Sequence, residues 1–126
     1  MEYLYIGIGG FFGAMTRYGL SKWVGRHWSG KFPVATFWIN ITGSFILGLL
    51  FVAFAKAGPG AADLKSLAAA GFLGAYTTFS TFAFEIVSLI EEGDRDIAVK
   101  YFLTSISLGL AAALLGLTLA RYFWQT

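Results

Sequence analysis

No cysteine occurs in the 126 residues, and histidine occurs once, at His27. Disulfides, thiolate metal sites and a cysteine nucleophile are thereby excluded, and no histidine cluster can form. Charge is nearly as scarce. Asp, Glu, Lys and Arg make up 13% of the chain, about half the share usual in a soluble domain. The nine basic and seven acidic residues are scattered along the chain, without the basic cluster that nucleic-acid binding needs. No nucleic-acid partner is expected, and most enzyme chemistries lack their side chains. What the chain has in excess is apolar: 57% hydrophobic residues, 13 Phe, 4 Trp, 6 Tyr and a mean hydropathy of +0.69. Such a composition dissolves in lipid.

A membrane helix needs about 20 mostly apolar residues to cross roughly 30 Å of hydrocarbon. The gaps between charges supply four such stretches, which predict helices at about 3–22, 33–55, 64–91 and 98–122 within a single domain, residues 1–126. Arg17 extends the first span because a long cation near a helix end can snorkel. Pro33 suits the first turn of the second span. Asp63 reads as the N-cap of the third and Gly93 as its stop. Arg121, Tyr122 and Trp124 close the fourth as interfacial anchors. Alternating strand patterns are absent, so helices are the economical way to satisfy backbone groups in lipid. Met1-Glu2 supplies no basic start, so the first span reads as a retained helix. The side holding the first and third connections carries six basic residues (Arg17, Lys22, Arg26, Lys31, Arg95 and Lys100) and the other side three (Lys56, Lys65 and Arg121) plus the amino terminus, which favours external termini, with insertion in both orientations as the alternative.

Small residues recur at four-residue spacing: Gly9 with Gly13, Ser44 with Gly48, Gly109 with Ala113. That spacing lets helix backbones approach closely, within one chain or between copies. Four thin helices make a poor transport scaffold alone, so a homodimer is expected.

The third span carries the chemistry. Gly71 through Phe82 combines Gly71, Gly74, Thr77, Thr78, Ser80 and Thr81, which lowers helix propensity and offers the backbone other hydrogen bonds. A break is expected there, with freed carbonyls able to coordinate a cation. Phe79 and Phe82 share a face if the second half is helical, and their positive ring edges suit an anion; lipid-facing or core packing is the alternative. Asn40, the chain's one Asn, can donate to an anion or bind a neighbouring helix. Tyr101, Thr104 and Ser105 follow i, i+3, i+4 spacing and read as one polar strip. Glu85 reads as a snorkelling or helix-paired residue, and Arg17 as an interface anchor or a vestibule attractor for anions.

Three ordered motifs, Gly10-Phe11-Phe12-Gly13-Ala14-Met15-Thr16-Arg17-Tyr18, Pro33 through Thr36 to Asn40 and Gly43, and Gly71 through Thr77-Thr78-Phe79-Ser80-Thr81-Phe82 to Glu85, resemble the Fluc (also called CrcB) fluoride channels. The resemblance implies an all-α membrane protein assembled as an antiparallel, dual-topology homodimer, with a break in the third helix and two pores that export fluoride passively across the plasma membrane. It implies pore phenylalanines at Phe79 and Phe82, a pore amide at Asn40, and hydroxyls from Ser80 and Thr81. It also implies a vestibule at Arg17, a fourth-helix track beginning with Tyr101 and Ser105, and a central structural Na⁺ on the backbone carbonyls of Gly74 and Thr77. Gly109 departs from that pattern, standing one turn beyond Ser105 where such a track would carry another hydroxyl. The competing readings are a small four-helix proton-coupled cation or drug exchanger, which needs a deep carboxylate, and a structural membrane subunit.

Overall fold

The computed structural model describes residues 1–125, and every regular element among them is helical. Helix α1 spans Glu2–His27 and α2 spans Val34–Ala57. A 3₁₀ turn, Pro59–Ala61, leads into α3 (Ala62–Lys65), a π-helical stretch (Ser66–Leu73), the short α4 (Gly74–Tyr76), α5 (Phe79–Glu91) and finally α6 (Arg95–Phe123).

Among the described residues, three units are long and apolar enough to cross a membrane: α2, the stretch Pro59–Glu91 and α6. The 26 residues of α1 have the length, about 39 Å at 1.5 Å per residue, but its tyrosines, glycines and Arg17 dilute its apolar content. Helix α1 also runs five residues past the expected end at 22. Arg26 and His27 fall in its last turn, where positive charge complements the helix dipole. Arg17 therefore lies ten residues from the C-terminal end, about 15 Å along the axis, and is not the end-of-helix residue the charge spacing suggested.

The caps divide. Asp63 lies inside α3 and makes no capping hydrogen bond, because Pro59 starts the helical path earlier. Gly93 does stop α5. It takes φ +87°, with Gly93 N–H donating to Ile90 O at 3.1 Å and Asp94 N–H to Leu89 O at 2.8 Å, the paired closing bonds of a Schellman motif.

Small residues set the packing. A side chain at Gly9 would overlap the Leu67 carbonyl and one at Gly13 the Phe72 carbonyl, so the first glycine pair is consumed holding α1 against the π-helical stretch. Gly48 and Gly116 likewise bring α2 and α6 into backbone contact, at Ala113 O and Phe45 O. Two small cores form on either side of the break in the third span. Ile39, Leu73 and Tyr76 make one, and Phe37, Phe82, Leu89, Ala98 and Tyr101 the other. Most other large apolar side chains face outward, among them Phe11, Phe12, Phe84, Leu103, Leu110 and Leu114, as lipid or a protein partner requires. At one end the Lys31 Nζ to Asp94 Oδ2 pair, 2.8 Å, joins the α1–α2 and α5–α6 connections; at the other, Lys56 donates to the Trp124 carbonyl. The first and third connections thus share a side, as the charge count assumed.

Candidate functional site

The break falls at Thr77-Thr78, whose backbones are extended (φ −79°, ψ 157° and φ −149°, ψ 121°). Helix α2 holds it in place. Asn40 Nδ2 donates to Thr78 O and Asn40 Oδ1 accepts from Thr78 N–H, both at 2.9 Å, so one amide satisfies both polar groups of an unwound peptide residue. Two neighbours within one turn of Asn40 assist: the Thr42 hydroxyl lies 2.9 Å from the Tyr76 hydroxyl, and Gly43 leaves the space that the Thr77 methyl occupies. The Thr77 hydroxyl donates back to Leu73 O at 2.9 Å. Thr78 Oγ1 then caps α5, accepting from Thr81 N–H at 3.2 Å. The extra width of the π-helical stretch, absent from the expected picture, precedes the break, and such insertions concentrate at functional sites.

A cavity of about 420 Å³ opens beside this break. Asn40, Ser44, Thr77, Thr78, Phe79, Phe82, Ser105 and Gly109 contribute to its wall, the remainder is Gly43 and aliphatic side chains, and no charged side chain among the described residues lines it. Five expected site residues, Asn40, Thr77, Phe79, Phe82 and Ser105, are brought together there. The two rings lie 6.1 Å apart at 49°. Their surroundings differ: Phe79 is 78% exposed, whereas Phe82 is 5% exposed and packs edge-on against Tyr101 at 5.0 Å. Asn40 keeps one amide N–H beyond the one given to Thr78, since the side chain carries two.

The remaining expected residues lie outside the cavity wall. Ser80 and Thr81 sit in the α5 cap, with Thr78 Oγ1 3.4 Å from Ser80 Oγ and donating to Thr81 Oγ1 at 3.1 Å. Tyr101 is fully buried against Phe82, its hydroxyl without a hydrogen bond to a described residue. Thr104 does not join the expected polar strip: it is exposed, and its hydroxyl returns to Lys100 O at 2.6 Å. Arg17 sits on α1 with its Nε buried and unpartnered among the described residues. Gly74 is exposed, and the Thr77 carbonyl accepts no hydrogen bond from a described residue. Glu85 accepts from the Thr36 hydroxyl at 2.5 Å and lines a separate groove near the α1–α2 connection. Ser44 was visible in the sequence as half of a small-residue pair. Its place on the wall, one turn beyond Asn40 on the same face, is what that reading missed.

These features define an all-helical, integral, multi-pass membrane protein with a polar interruption inside its third apolar stretch. A family model described as CrcB-like protein, Camphor Resistance (CrcB), matches residues 4–117. The chain is 42% identical over 116 residues to "Fluoride-specific ion channel FluC 2" of Moorella thermoacetica, covering 92% of this chain and 93% of that one. It is 43% identical over 116 residues to the protein of the same description in Clostridium acetobutylicum, covering 92% and 95%. To "Fluoride-specific ion channel FluC 1" of Carboxydothermus hydrogenoformans it is 42% identical over 123 residues, covering 98% and 96%. The chain belongs to the CrcB family.

Proposed function

We propose that this protein is a fluoride channel that lets the anion leave the cytoplasm passively across the plasma membrane. The observation that carries the reading is the uncharged cavity in which the Asn40 amide, the Ser105 hydroxyl and the Phe79 and Phe82 rings meet at a helix break, in a chain whose relatives bear the name fluoride-specific ion channel. Fluoride is small and tightly hydrated, so entry requires close donors in place of its water. An amide N–H and a hydroxyl donate outright, and the positive edge of an aromatic ring adds a weaker field. Neutral donors bind without trapping the ion as a salt bridge would. An inside-negative potential then drives the anion outward at about 2.3 kcal/mol per 100 mV. No fuel and no catalytic group is needed.

The working unit is an antiparallel, dual-topology homodimer of four-span subunits with two pores. The exposed apolar faces of α1 and α6 support this, since α6 keeps few of its residues buried within one chain. Ser80 and Thr81 supply further hydroxyls, Tyr101 anchors the fourth-helix track, and Arg17 draws anions toward a vestibule. The carbonyls of Gly74 and Thr77 fit a structural Na⁺ shared by two copies: the Thr77 oxygen accepts no hydrogen bond from a described residue, and unwound backbone carbonyls coordinate sodium in transporters with broken helices. Such an ion would supply fixed positive charge and tie two breaks together. The exchanger reading finds no support, because the Glu85 carboxyl is held by Thr36 outside the cavity. Purified protein in fluoride-loaded liposomes should release fluoride to an ion-selective electrode while retaining chloride. Equal release of both ions would overturn the proposal.

A further inference from the structure

The cavity wall carries a hydroxyl from α2 at the level where α6 has none. A Cβ placed on Gly109 would stand 3.9 Å from Ser44 Oγ and 4.0 Å from Ile41 Cδ1, an ordinary contact distance with room to spare. Ser44 lies one turn from Asn40 on α2, and Gly109 one turn from Ser105 on α6, so the four positions form two facing rows. Threonine hydroxyls on these helices return to the carbonyl four residues back, as Thr42 does to Trp38 O at 2.7 Å and Thr104 to Lys100 O. The hydroxyls of Ser44 and Ser105 make no such bond, and Ser105 Oγ is buried with no hydrogen-bond partner at all among the described residues. A buried hydroxyl left unpaired costs free energy unless a ligand visits it.

We infer that Ser44 is an anion-contacting residue of the pathway, donating its hydroxyl where Gly109 leaves the fourth-helix row incomplete. The two helices thus divide one row of donors: Ser105 serves the level of Asn40, and Ser44 serves the next level along. Gly109 is the complement of this arrangement, since its missing side chain opens the space into which the Ser44 hydroxyl faces. The inference rests on the channel reading above and deepens it.

The test moves the hydroxyl across the gap. Fluoride release would be measured from proteoliposomes containing wild type, Ser44→Ala, Gly109→Ser or the double variant, each checked for dimeric assembly by gel filtration. Ser44→Ala should slow release roughly ten-fold, the scale of a lost hydrogen bond to a charged group. Adding Gly109→Ser to Ser44→Ala should recover most of the rate. Wild-type release from Ser44→Ala, or no recovery in an assembled double variant, would overturn the inference while leaving fluoride conduction standing. Absence of release from wild type would remove the channel reading and this inference with it.

Discussion

Asn40→Ala is the most informative single substitution. Asn40 makes two hydrogen bonds to one residue, to Thr78 O and from Thr78 N–H, each 2.9 Å long. An orphaned buried peptide group costs about 1–3 kcal/mol, while interhelical hydrogen bonds in a membrane protein average near 0.6 kcal/mol. Asn40 and Thr78 are only part-buried beside an open cavity, so water reaching the gap offsets some of the loss. A net cost of about 2 kcal/mol follows, a factor of about 30 in the population of the clamped break. Two readouts report on it: fluoride release from proteoliposomes, and amide hydrogen exchange across residues 76–82. Asn40→Ala should slow release ten-fold or more and accelerate exchange, with gel-filtration behaviour unchanged. Asn40→Asp separates the clamp from the donor. Its carboxylate still accepts from Thr78 N–H but donates nothing and repels an anion, so exchange should rise less than in Asn40→Ala while release falls further. Wild-type release and wild-type exchange in Asn40→Ala would refute the reasoning.

Phe79→Ile and Phe82→Ile should both slow fluoride release with assembly retained, and only Phe82→Ile should lower the melting temperature in detergent, because Phe82 is 5% exposed and Phe79 78%. Equal destabilisation by the two would contradict the placement of the rings. Gly13→Val should sharply reduce the yield of folded protein, since its side chain would overlap the Phe72 carbonyl; normal yield and normal flux would show that α1 does not dock there. Replacing external and internal sodium with a bulky organic cation should slow fluoride release if the Thr77 carbonyl holds sodium, and an unchanged rate in all cation backgrounds would remove that ion from the account. Asp94, by hydrogen bond and charge, holds the exposed Lys31 ammonium above its ordinary 10.5. The lysine's contribution to the pair is thus fully present below that value and lost as pH rises through the raised one, and Lys31→Met should leave release at neutral pH within about two-fold of wild type.

Much of the architecture was legible in the sequence because the physics of lipid leaves few choices. Charge-poor stretches run through α2 and α6, while α1 continues five residues past the expected end at 22, and Gly93 announced the end of α5 because its positive φ suits glycine. The break was legible too, in the hydroxyl-rich run beside Gly71 and Gly74. Its exact seat at Thr77-Thr78 was not, because that depends on Asn40, 38 residues away, reaching across to take both peptide groups. The π-helical stretch has no sequence mark of its own; what the sequence did show is the glycine pair, Gly9 and Gly13, that packs against its Leu67 and Phe72 backbone. Thr104 misled for a related reason. Its spacing matched Tyr101 and Ser105, but a hydroxyl can satisfy itself on its own helix at Lys100 O, so periodicity alone overstates polar faces in membrane helices. Ser44 shows the converse, a residue read for its size whose hydroxyl faces the cavity.

The central claim is that neutral donors at the broken third helix admit fluoride in preference to other halides. Current through the reconstituted protein in a planar bilayer, with fluoride on one side and chloride on the other, measures this directly. The account predicts a reversal potential set by the fluoride gradient, with negligible chloride current. A reversal potential near zero under equal concentrations of the two halides would contradict it.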